Sequence, residues 1–336
     1  MLDEERLKQD LQAFAAIRPL FVNLGWGLLN ELDCTDLIKK GASLKELMEK
    51  REIKNKKMLE TILDILVGNG VLKHEKNKYS FVSIPQPNKK EDIDFLKKNY
   101  NRSMEWIAIC FKDAKEVITS GKPKDKAGFD DEKGLELWDA IMCESPYSLR
   151  KKAILIFTKE LKDGNSVLDF GCGGGIGLEQ ILLETSKNIF LDGMDTSGNY
   201  LERAKKRMQH LYTNTQSEII KRNIKKIQFT LFDPKKPLPK NKKYDVIFLS
   251  IVLNHIKEEK HAKLFKELKS MLKRNGRLVI YQLINQSKYN RVPIWVMHVV
   301  PSHQEYPFRE TYLRNIKKNF RNVDCFFDGT ITVSYD

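Results

Sequence analysis

The chain has 336 residues, of which 41% are hydrophobic and 31% are charged. This length exceeds the size at which one hydrophobic core usually keeps growing, so we expect two folding units joined by a helical connector. The apolar content excludes a disordered chain, and no stretch approaches the roughly 20 apolar residues of a membrane helix. The polar N-terminus MLDEERLKQD is unlike a signal peptide, which favours a cytoplasmic location.

The formal net charge of +14 is compatible with an anionic partner such as nucleic acid. The excess is mainly lysine in short, scattered runs, which favours a solvated lysine-rich surface instead. The five cysteines lie far apart and form none of the close pairs of zinc or redox motifs. We therefore predict free, mostly buried thiols and no metal site.

The first 88 residues predict a small, mostly α-helical winged-helix domain. Residues 11–32 carry apolar side chains at helical spacing, but Pro19, Gly25 and Gly27 interrupt them and predict two short helices. Ser43 predicts the cap of a helix that starts at the next residue.

A second helix of this domain is predicted from about Asn55 to Val67, where a Gly-Asn-Gly stop signal follows. The segments VLKHE and KYSFV then alternate as a small hairpin. The region Pro85 to Pro87 marks a joint, and residues 89–163, helical on both sides of a loop at 121–134, are predicted to form a connector that covers the active site.

From Ser166 onward, short β-branched or apolar runs alternate with amphipathic helices. This alternation predicts an α/β domain over residues 164–336, with a Rossmann-like parallel sheet and right-handed crossovers. Strands fit the segments SVLDF, IFLDGM, IQFTLF, YDVIFLS and RLVIYQL. At the end, VDCFF and TITVSY flank a hairpin signal at Asp328, so we expect the sheet to finish with an antiparallel strand pair.

A glycine-rich turn containing Gly171, Gly173 and Gly175 follows the first of these strands. Glycines permit positive φ and close approach of a ligand, and the helix start supplies unpaired amide donors. Dinucleotide-binding domains use a similar turn. Asp169 favours a different cofactor, because in an S-adenosylmethionine (SAM) site an acid two positions before the first glycine can accept hydrogen bonds from the amino group of the methionine moiety.

The next two predicted strands also end in acids. Asp195 ends the second strand, where a carboxylate can accept both ribose hydroxyls, although this position alone equally suits NAD. Phe232 and Asp233 end the third strand, where the ring can cover a face of adenine and the acid can take its exocyclic amine. Each aspartate alone is explained equally well as a loop cap. Three acids at consecutive strand ends favour a SAM site.

In this order, the motifs resemble those of the class I SAM-dependent methyltransferases. VLDFGCGGG resembles the glycine motif, GMDTSGNYLERAKKR the second motif, LFDPKKPLP the adenine acid, YDVIFLSIVLNHI the fourth strand, and LFKELKSMLKRNGRLVIYQL the following helix and fifth strand. The resemblance implies SAM as the cofactor and S-adenosylhomocysteine as its product. It also places Thr196 and Ser250 among the residues that bind the cofactor.

The N-terminal segments ASLKELMEK and ETILDILVGNGVLKHEKNKYSFV are similar to the dimerisation domain of small-molecule O-methyltransferases. This similarity implies a homodimer, a small-molecule acceptor, and helices that close over the cofactor. It makes Tyr147 and Arg150 candidates for contacting the SAM carboxylate. The acceptor pocket is expected among the helices of residues 100–150 and the segment at 285–308, which is rich in aromatic residues and histidine.

The sequence departs from the family pattern at the general base. In plant-type enzymes it is a histidine shortly after the fourth strand, and the alignment places Asn254 there, with His255 one residue later. His255 is our candidate for acid-base catalysis, with a structural role as the alternative. The acceptor is then either already nucleophilic, through carbon, sulfur or an ionised oxygen, or is deprotonated by another group.

Two other function classes compete with a small-molecule methyltransferase. The charge and the winged helix fit a nucleic-acid methyltransferase, but residues 250–255 read SIVLNH and lack the Asn/Asp-Pro-Pro-aromatic motif that holds a flipped base. The same features fit a winged-helix regulator that senses SAM without catalysis. Salt-dependent retention on nucleic acid, or cofactor binding without methyl transfer, would identify these two classes respectively.

Overall fold

The structure is a computed structural model and describes residues 4–124, 132–144, 147–239 and 242–336. The chain divides into two compact units. The helical unit comprises Glu4–Ser145 and Asn285–Glu305, and the sheet unit comprises Pro146–Ile284 and Tyr306–Asp336. This division differs from the predicted boundaries at residues 88 and 163. No helix in the described ranges is long and apolar enough to cross a membrane.

The described residues in the first part of the helical unit form nine elements. They are α1 (Glu4–Glu31), α2 (Cys34–Lys39), α3 (Leu44–Lys50), α4 (Lys56–Gly68), β1 (Leu72–Glu75), β2 (Lys78–Phe81), α5 (Lys90–Asn99), α6 (Asn101–Ser120) and α7 (Glu132–Met142). The segment 285–305 adds a 3₁₀ helix, Trp295–Val299. Residues 125–131 of the predicted loop lie outside the described residues.

The segment 285–305 belongs to the helical unit because of its tryptophan. Trp295 is almost fully buried, and its Nε1 donates to the carbonyl of Phe21 at 3.0 Å. Its ring meets those of Phe21 and Phe111 edge-on, with centroids 6.4 and 6.1 Å apart. Burial of so large a side chain outweighs proximity in sequence to the last strands of the sheet.

The predicted break within residues 11–32 is wrong, because α1 continues through it. Pro19 lies inside this helix of 28 residues, although it removes one backbone hydrogen bond. The helix buries a long apolar face that includes Phe21, Leu28 and Leu29. Packing of that face outweighs the local preference of proline and glycine to end a helix.

The predicted helix starts after Ser43 and Asn55 are confirmed. Ser43 Oγ accepts from the backbone N–H of Glu46 at 3.2 Å, and Glu46 Oε2 accepts from the N–H of Ser43 at 2.7 Å, which completes a capping box. Asn55 Oδ1 accepts from the N–H of Met58 at 3.1 Å at the start of α4. Strands β1 and β2 pair antiparallel, as the hairpin prediction requires.

The sheet unit alternates strands and helices from residue 147 to the C-terminus. Its elements are α8 (Tyr147–Thr158), β3 (Ser166–Phe170), α9 (Ile176–Glu184), β4 (Phe190–Asp195), α10 (Gly198–Asn214), α11 (Glu218–Ile224), β5 (Gln228–Leu231), β6 (Tyr244–Ser250), α12 (His261–Ser270), β7 (Leu272–Tyr281), α13 (Arg309–Lys317), β8 (Asn322–Phe326) and β9 (Ile331–Tyr335).

The seven strands form one sheet in the order β5-β4-β3-β6-β7-β9-β8. The first five strands pair parallel, and β9 pairs antiparallel with both β7 and β8. The predicted Rossmann-like sheet with an antiparallel C-terminal pair is therefore confirmed. One face of the sheet packs on α12 and α13, and the buried residues of that core include Leu168, Phe170, Ile247, Leu249, Phe265, Leu268, Leu278, Ile280, Tyr312 and Ile316.

Two glycines of α1 provide a matched test of how α1 packs on α4. A Cβ at Gly25 would lie 3.1 Å from Ile62 Cγ2, whereas a Cβ at Gly27 would meet nothing within 4 Å. We predict that Gly27→Ala raises the free energy of unfolding by about 1 kcal/mol through helix propensity. Gly25→Ala should gain clearly less, because the neighbouring side chain must shift. Urea denaturation measures both, and equal gains at the two positions would contradict the packing.

Candidate functional site

The candidate site lies at the carboxyl ends of β3, β4, β5 and β6. In the sheet order, β3 has β4 on one side and β6 on the other, so the chain reverses its direction of progress across the sheet between them. Ligands of open α/β sheets bind in the crevice at such a switch point. The predicted cofactor residues after the first four strands of the parallel sheet are brought to this edge.

The glycine turn between β3 and α9 has the predicted left-handed backbone. Gly171, Gly173 and Gly175 have φ angles of +73°, +50° and +82°. A Cβ at Gly175 would lie 3.0 Å from the Cα of Ala204 in α10, so only glycine fits between the two helices. A Cβ at Gly173 would meet nothing within 4 Å. The turn is thus closed toward α10 and open at Gly173.

Asp169 is buried at the end of β3, with 2% of its surface exposed. Its Oδ2 lies so close to α9 that a Cβ at Gly177 would be 2.4 Å from it. Burial raises the pKa of the Asp169 carboxyl to about 7, with the Arg150 guanidinium lowering it and the Asp195 carboxylate raising it. The site therefore holds a buried acid whose charged form a bound cation would stabilise.

Asp195 joins three elements at the end of β4. Its Oδ2 accepts from the N–H of Gly173 at 2.9 Å, and its Oδ1 accepts from the N–H of Ser197 at 2.9 Å. Its carbonyl accepts from the N–H of Phe232 at 3.1 Å. Burial raises the pKa of this carboxyl, and the backbone donors of Ser197, Gly173 and Thr196 oppose that rise. A carboxylate has about four lone-pair sites, so Asp195 can still accept from a further donor beside these backbone groups.

The two residues predicted to bind adenine, after the end of β5, differ in their burial. Phe232 is half-buried, with its ring centroid 5.2 Å from that of Phe170. Asp233 is exposed, and its Oδ1 accepts from the N–H of Lys235 at 2.9 Å. This bond is the loop cap that the sequence left open as the alternative. The second oxygen of Asp233 has further lone pairs for a ligand.

Arg150 of α8 is buried beside the end of β6, with 2% of its surface exposed. Its Nε donates to Ser250 Oγ at 3.1 Å. The carbonyl of Tyr147, one turn earlier in α8, accepts from Gln180 Nε2 of α9 at 3.3 Å. The structure thus brings Arg150 and Ser250 together and ties the start of α8 to the helix that follows the glycine turn.

The chain after β6 is strained. Ile251 has a φ of +55°, which a β-branched residue rarely adopts and which costs about 1–3 kcal/mol. The next residue, Val252, lies where a Cβ on Gly171 would be only 2.6 Å from its Cγ2. The strained residue therefore seats the following 3₁₀ turn, Leu253–His255, directly against the glycine turn.

Within that 3₁₀ turn, the two candidate residues have different surroundings. His255 is half-buried, whereas Asn254 is fully buried. Asn254 Oδ1 accepts from Gln282 Nε2 at 3.1 Å, and Gln282 Oε1 accepts from the N–H of Leu253 at 2.9 Å. The sequence did not point to Gln282, which follows β7. Gln282 directly follows the buried strand β7, and this position points to the site only when β6 is known to be its neighbour.

The histidines of segment 285–305 form a separate cluster in the helical unit. One ligand atom from each of His298, His303 and Glu305 lies within 4.8 Å of the others. Burial and the nearby charges of Arg291 and Lys57 together lower the pKa of His298 to about 3. Arg291 Nη1 also lies 3.4 Å from Glu305 Oε2, so the carboxylate already has a cation beside it.

The pKa of Asp169 gives a testable dependence of stability on pH. Its folded pKa of about 7 exceeds the ordinary value of 3.8, so between these pH values the folded chain holds a proton that the unfolded chain has lost. We predict that the stability which Asp169 contributes falls as pH rises from about 4 to about 7, by at most about 1.4 kcal/mol per pH unit. Above pH 7 it levels off.

The comparison of wild type with Asp169→Asn isolates this effect, because the amide does not titrate. Chemical denaturation across this pH range should show the difference in unfolding free energy, wild type minus variant, decreasing as pH rises. A constant or increasing difference would show that Asp169 is ionised in the folded protein. Asp324→Asn, at an exposed carboxyl on β8, is the matched control.

Comparison with known proteins gives a family match over residues 145–320, and the matching family is described as a methyltransferase domain. No curated protein sequence matches the chain. Among solved structures, the CurJ carbon methyltransferase is similar, with a TM-score of 0.71 and 14% identity over 99% of this chain and 93% of that chain. The CMeT domain of the citrinin polyketide synthase has a TM-score of 0.70 and 12% identity over 99% and 93%.

An O-methyltransferase family 2 protein from Planctomyces limnophilus, in complex with apigenin, is also similar. Its TM-score is 0.60 and its identity 16%, over 96% of this chain and 94% of that chain. At such identities the structural likeness shows the fold alone, and it agrees with the predicted fold class. The family match spans more than half of the sequence and confirms the resemblance that the strand-end motifs indicated. The chain belongs to the methyltransferase-domain family.

Proposed function

We propose that this chain transfers the methyl group of SAM to a small-molecule acceptor and releases S-adenosylhomocysteine. The observation that carries the proposal is the position of Asp169, Asp195 and Asp233, which end the adjacent strands β3, β4 and β5 or directly follow them. A dinucleotide-binding turn has no requirement for the first of these acids. When bound, SAM supplies a methyl group activated by a sulfonium sulfur.

The residues of the site fit the parts of SAM. Asp169 offers a desolvated carboxylate for an ammonium group, and Arg150 offers a buried guanidinium for a carboxylate. Asp195 can still accept from the ribose beside the N–H groups of Gly173 and Ser197, because these donors do not use every lone pair of the carboxylate. The opening at Gly173 leaves room for a ligand close to the backbone.

The remaining predicted contacts lie around these central residues. Phe232 would cover a face of the adenine, and Asp233 would accept from its amine with the oxygen that does not cap Lys235. Thr196 is exposed beside Asp195, and Tyr147 starts α8 three residues before Arg150. The chain's own contribution is to align the methyl group with the acceptor and to exclude water.

The acceptor is proposed to be a small molecule that reacts through carbon or oxygen. This proposal is supported by similarity to proteins described as carbon methyltransferases and to one described as an O-methyltransferase in complex with apigenin. Three further statements stay predictions from the sequence: the chain forms a homodimer, it is cytoplasmic, and it does not act on nucleic acid. Size measurement by light scattering tests the first of these.

Calorimetry tests the cofactor. The ammonium group of SAM stabilises ionised Asp169, whose pKa in the free protein is about 7. We predict that SAM affinity rises by up to about tenfold per unit between about pH 5.5 and 7, since binding at lower pH must expel a proton. Asp169→Asn should weaken binding by about 10- to 150-fold, the value of a charged hydrogen bond, and remove the pH dependence.

Asp324→Asn is again the matched control and should bind SAM like the wild type. A wild-type protein that gives no heat with SAM or S-adenosylhomocysteine, yet binds a nicotinamide dinucleotide, would refute the proposed function. Binding without methyl transfer to any compound of a metabolite extract would instead indicate a SAM-sensing regulator.

As the alternative to an acceptor that is already ionised, His255 is proposed for acid-base catalysis, because it lies in the 3₁₀ turn after β6 and is half-buried. If it is the base, His255→Ala should lower kcat by about 10²-fold or more with an acceptor that needs deprotonation. His210→Ala, on the exposed face of α10, is the control. A loss below about tenfold would assign His255 a structural role.

A further inference from the structure

The hydrogen bonds around the 3₁₀ turn after β6 fix the orientation of one buried amide. The N–H of Leu253 donates at 2.9 Å and therefore requires an oxygen, so Oε1 of Gln282 faces Leu253 and Nε2 faces the other way. That Nε2 donates to Asn254 Oδ1 at 3.1 Å and to the carbonyl of Leu283 at 3.2 Å. Asn254 therefore directs its Nδ2 away from Gln282.

Asn254 Nδ2 has no acceptor among the residues that the structure describes, and it is fully buried. A buried donor without an acceptor costs about 1–3 kcal/mol, and most buried polar groups in native proteins have a partner. The oxygen of the same amide accepts from Gln282 Nε2, so a flip of the side chain would turn two N–H donors toward each other. The arrangement indicates an acceptor atom that arrives with a ligand.

The chemistry of this pair excludes proton abstraction. Neither the Asn254 nor the Gln282 amide takes up a proton in the range where proteins are folded, and Asn254 occupies the position where plant-type enzymes have their base. An N–H donor favours a negatively charged oxygen, because a hydrogen bond to an ionised group is about twice as strong as a neutral one. Such a donor would stabilise an anion and could not create one.

We propose that Asn254, oriented by Gln282, donates from Nδ2 to the oxygen of an acceptor that is already an enolate or a phenolate. This inference rests on the proposed function and names its acceptor class. As the methyl group transfers, the electron pair of the anion forms the new bond to the methyl carbon, and the pair of the breaking carbon–sulfur bond stays on sulfur. The acceptor loses its negative charge and the sulfonium its positive charge, so no proton moves.

A binding experiment tests this donor without turnover. The protein is saturated with S-adenosylhomocysteine, and 4-nitrophenol, whose phenolate is yellow, is titrated by absorbance. The pKa of the bound phenol should lie about one unit or more below that of the free compound. Asn254→Ala and Gln282→Glu should abolish this shift, since Glu cannot donate to Asn254 Oδ1 and would draw Nδ2 toward itself.

Asn223→Ala is the matched control. Asn223 is also fully buried in the sheet unit, but it accepts from the N–H of Ile189 at 3.0 Å and donates to the carbonyl of Lys187 at 2.9 Å. These partners precede the amino end of β4, whereas the candidate site lies at the carboxyl ends of the strands. Loss of Asn223 should therefore lower stability and leave the pKa shift of the phenol intact. An equal shift in wild type and Asn254→Ala, or a loss of the shift in Asn223→Ala, would overturn the inference.

Kinetics at saturating SAM distinguish a phenolate acceptor from an enolate acceptor. A series of substituted phenols and a series of 1,3-diketones such as dimedone are compared, and in the preferred series kcat/KM should follow the ionised fraction of each compound as pH changes. Asn254→Ala should lower kcat by about 10²-fold, as loss of an oxyanion donor does. SAM affinity by calorimetry should stay within twofold.

Three results would contradict this acceptor class. They are a rate that follows the titration of an enzyme group, faster transfer to acceptors that are neutral at the assay pH, and transfer to neither series. If the wild-type protein does not bind SAM at all, the proposed function fails, and calorimetry shows this before any acceptor is added. The two failures are therefore distinguishable.

Discussion

The carboxylate of Asp195 is the junction on which the candidate site depends. One oxygen holds the glycine turn through Gly173, the other holds the start of α10 through Ser197, and the backbone carbonyl holds the end of β5 through Phe232. Three separate chain segments thus converge on one residue at the end of β4. Because the backbone donors do not use every lone pair of the carboxylate, the same group can both shape the site and bind a ligand.

The charge balance of this edge of the sheet follows from burial. Asp169 and Asp195 are both desolvated, and the pKa of each carboxyl is raised by that burial. The Arg150 guanidinium lowers the pKa of Asp169, and Ser250 orients it from the end of β6. Desolvated acids favour a ligand that brings positive charge, and the ammonium and sulfonium groups of SAM are of that kind.

The turn after β6 adds a constraint on the acceptor. The strained backbone of Ile251 seats the turn against Gly171, and the bonds from Leu253 to Gln282 and on to Asn254 leave a single amide donor unsatisfied among the described residues. Backbone strain that the surrounding structure maintains is frequent at functional sites. Here the strained residue precedes the turn that carries Asn254 and His255.

The sequence by itself determined the sheet and its cofactor edge. Glycines at 171, 173 and 175 and the acids at 169 and 195 are local signals, because positive φ and strand ends follow from residue type and from the alternation of apolar runs. The helix start after Ser43 was likewise predicted, since a capping side chain acts within one helical turn.

Tertiary structure alone decided the features that depend on contacts between distant segments. The continuity of α1 through Pro19 depends on burial of a long face, and the place of segment 285–305 in the helical unit depends on Trp295 packing against Phe21. The pKa of Asp169 depends on how fully it is buried, and the orientation of Asn254 depends on Gln282, 28 residues away along the chain. No local pattern encodes these, because desolvation and hydrogen-bond direction are set by neighbours that only folding brings together.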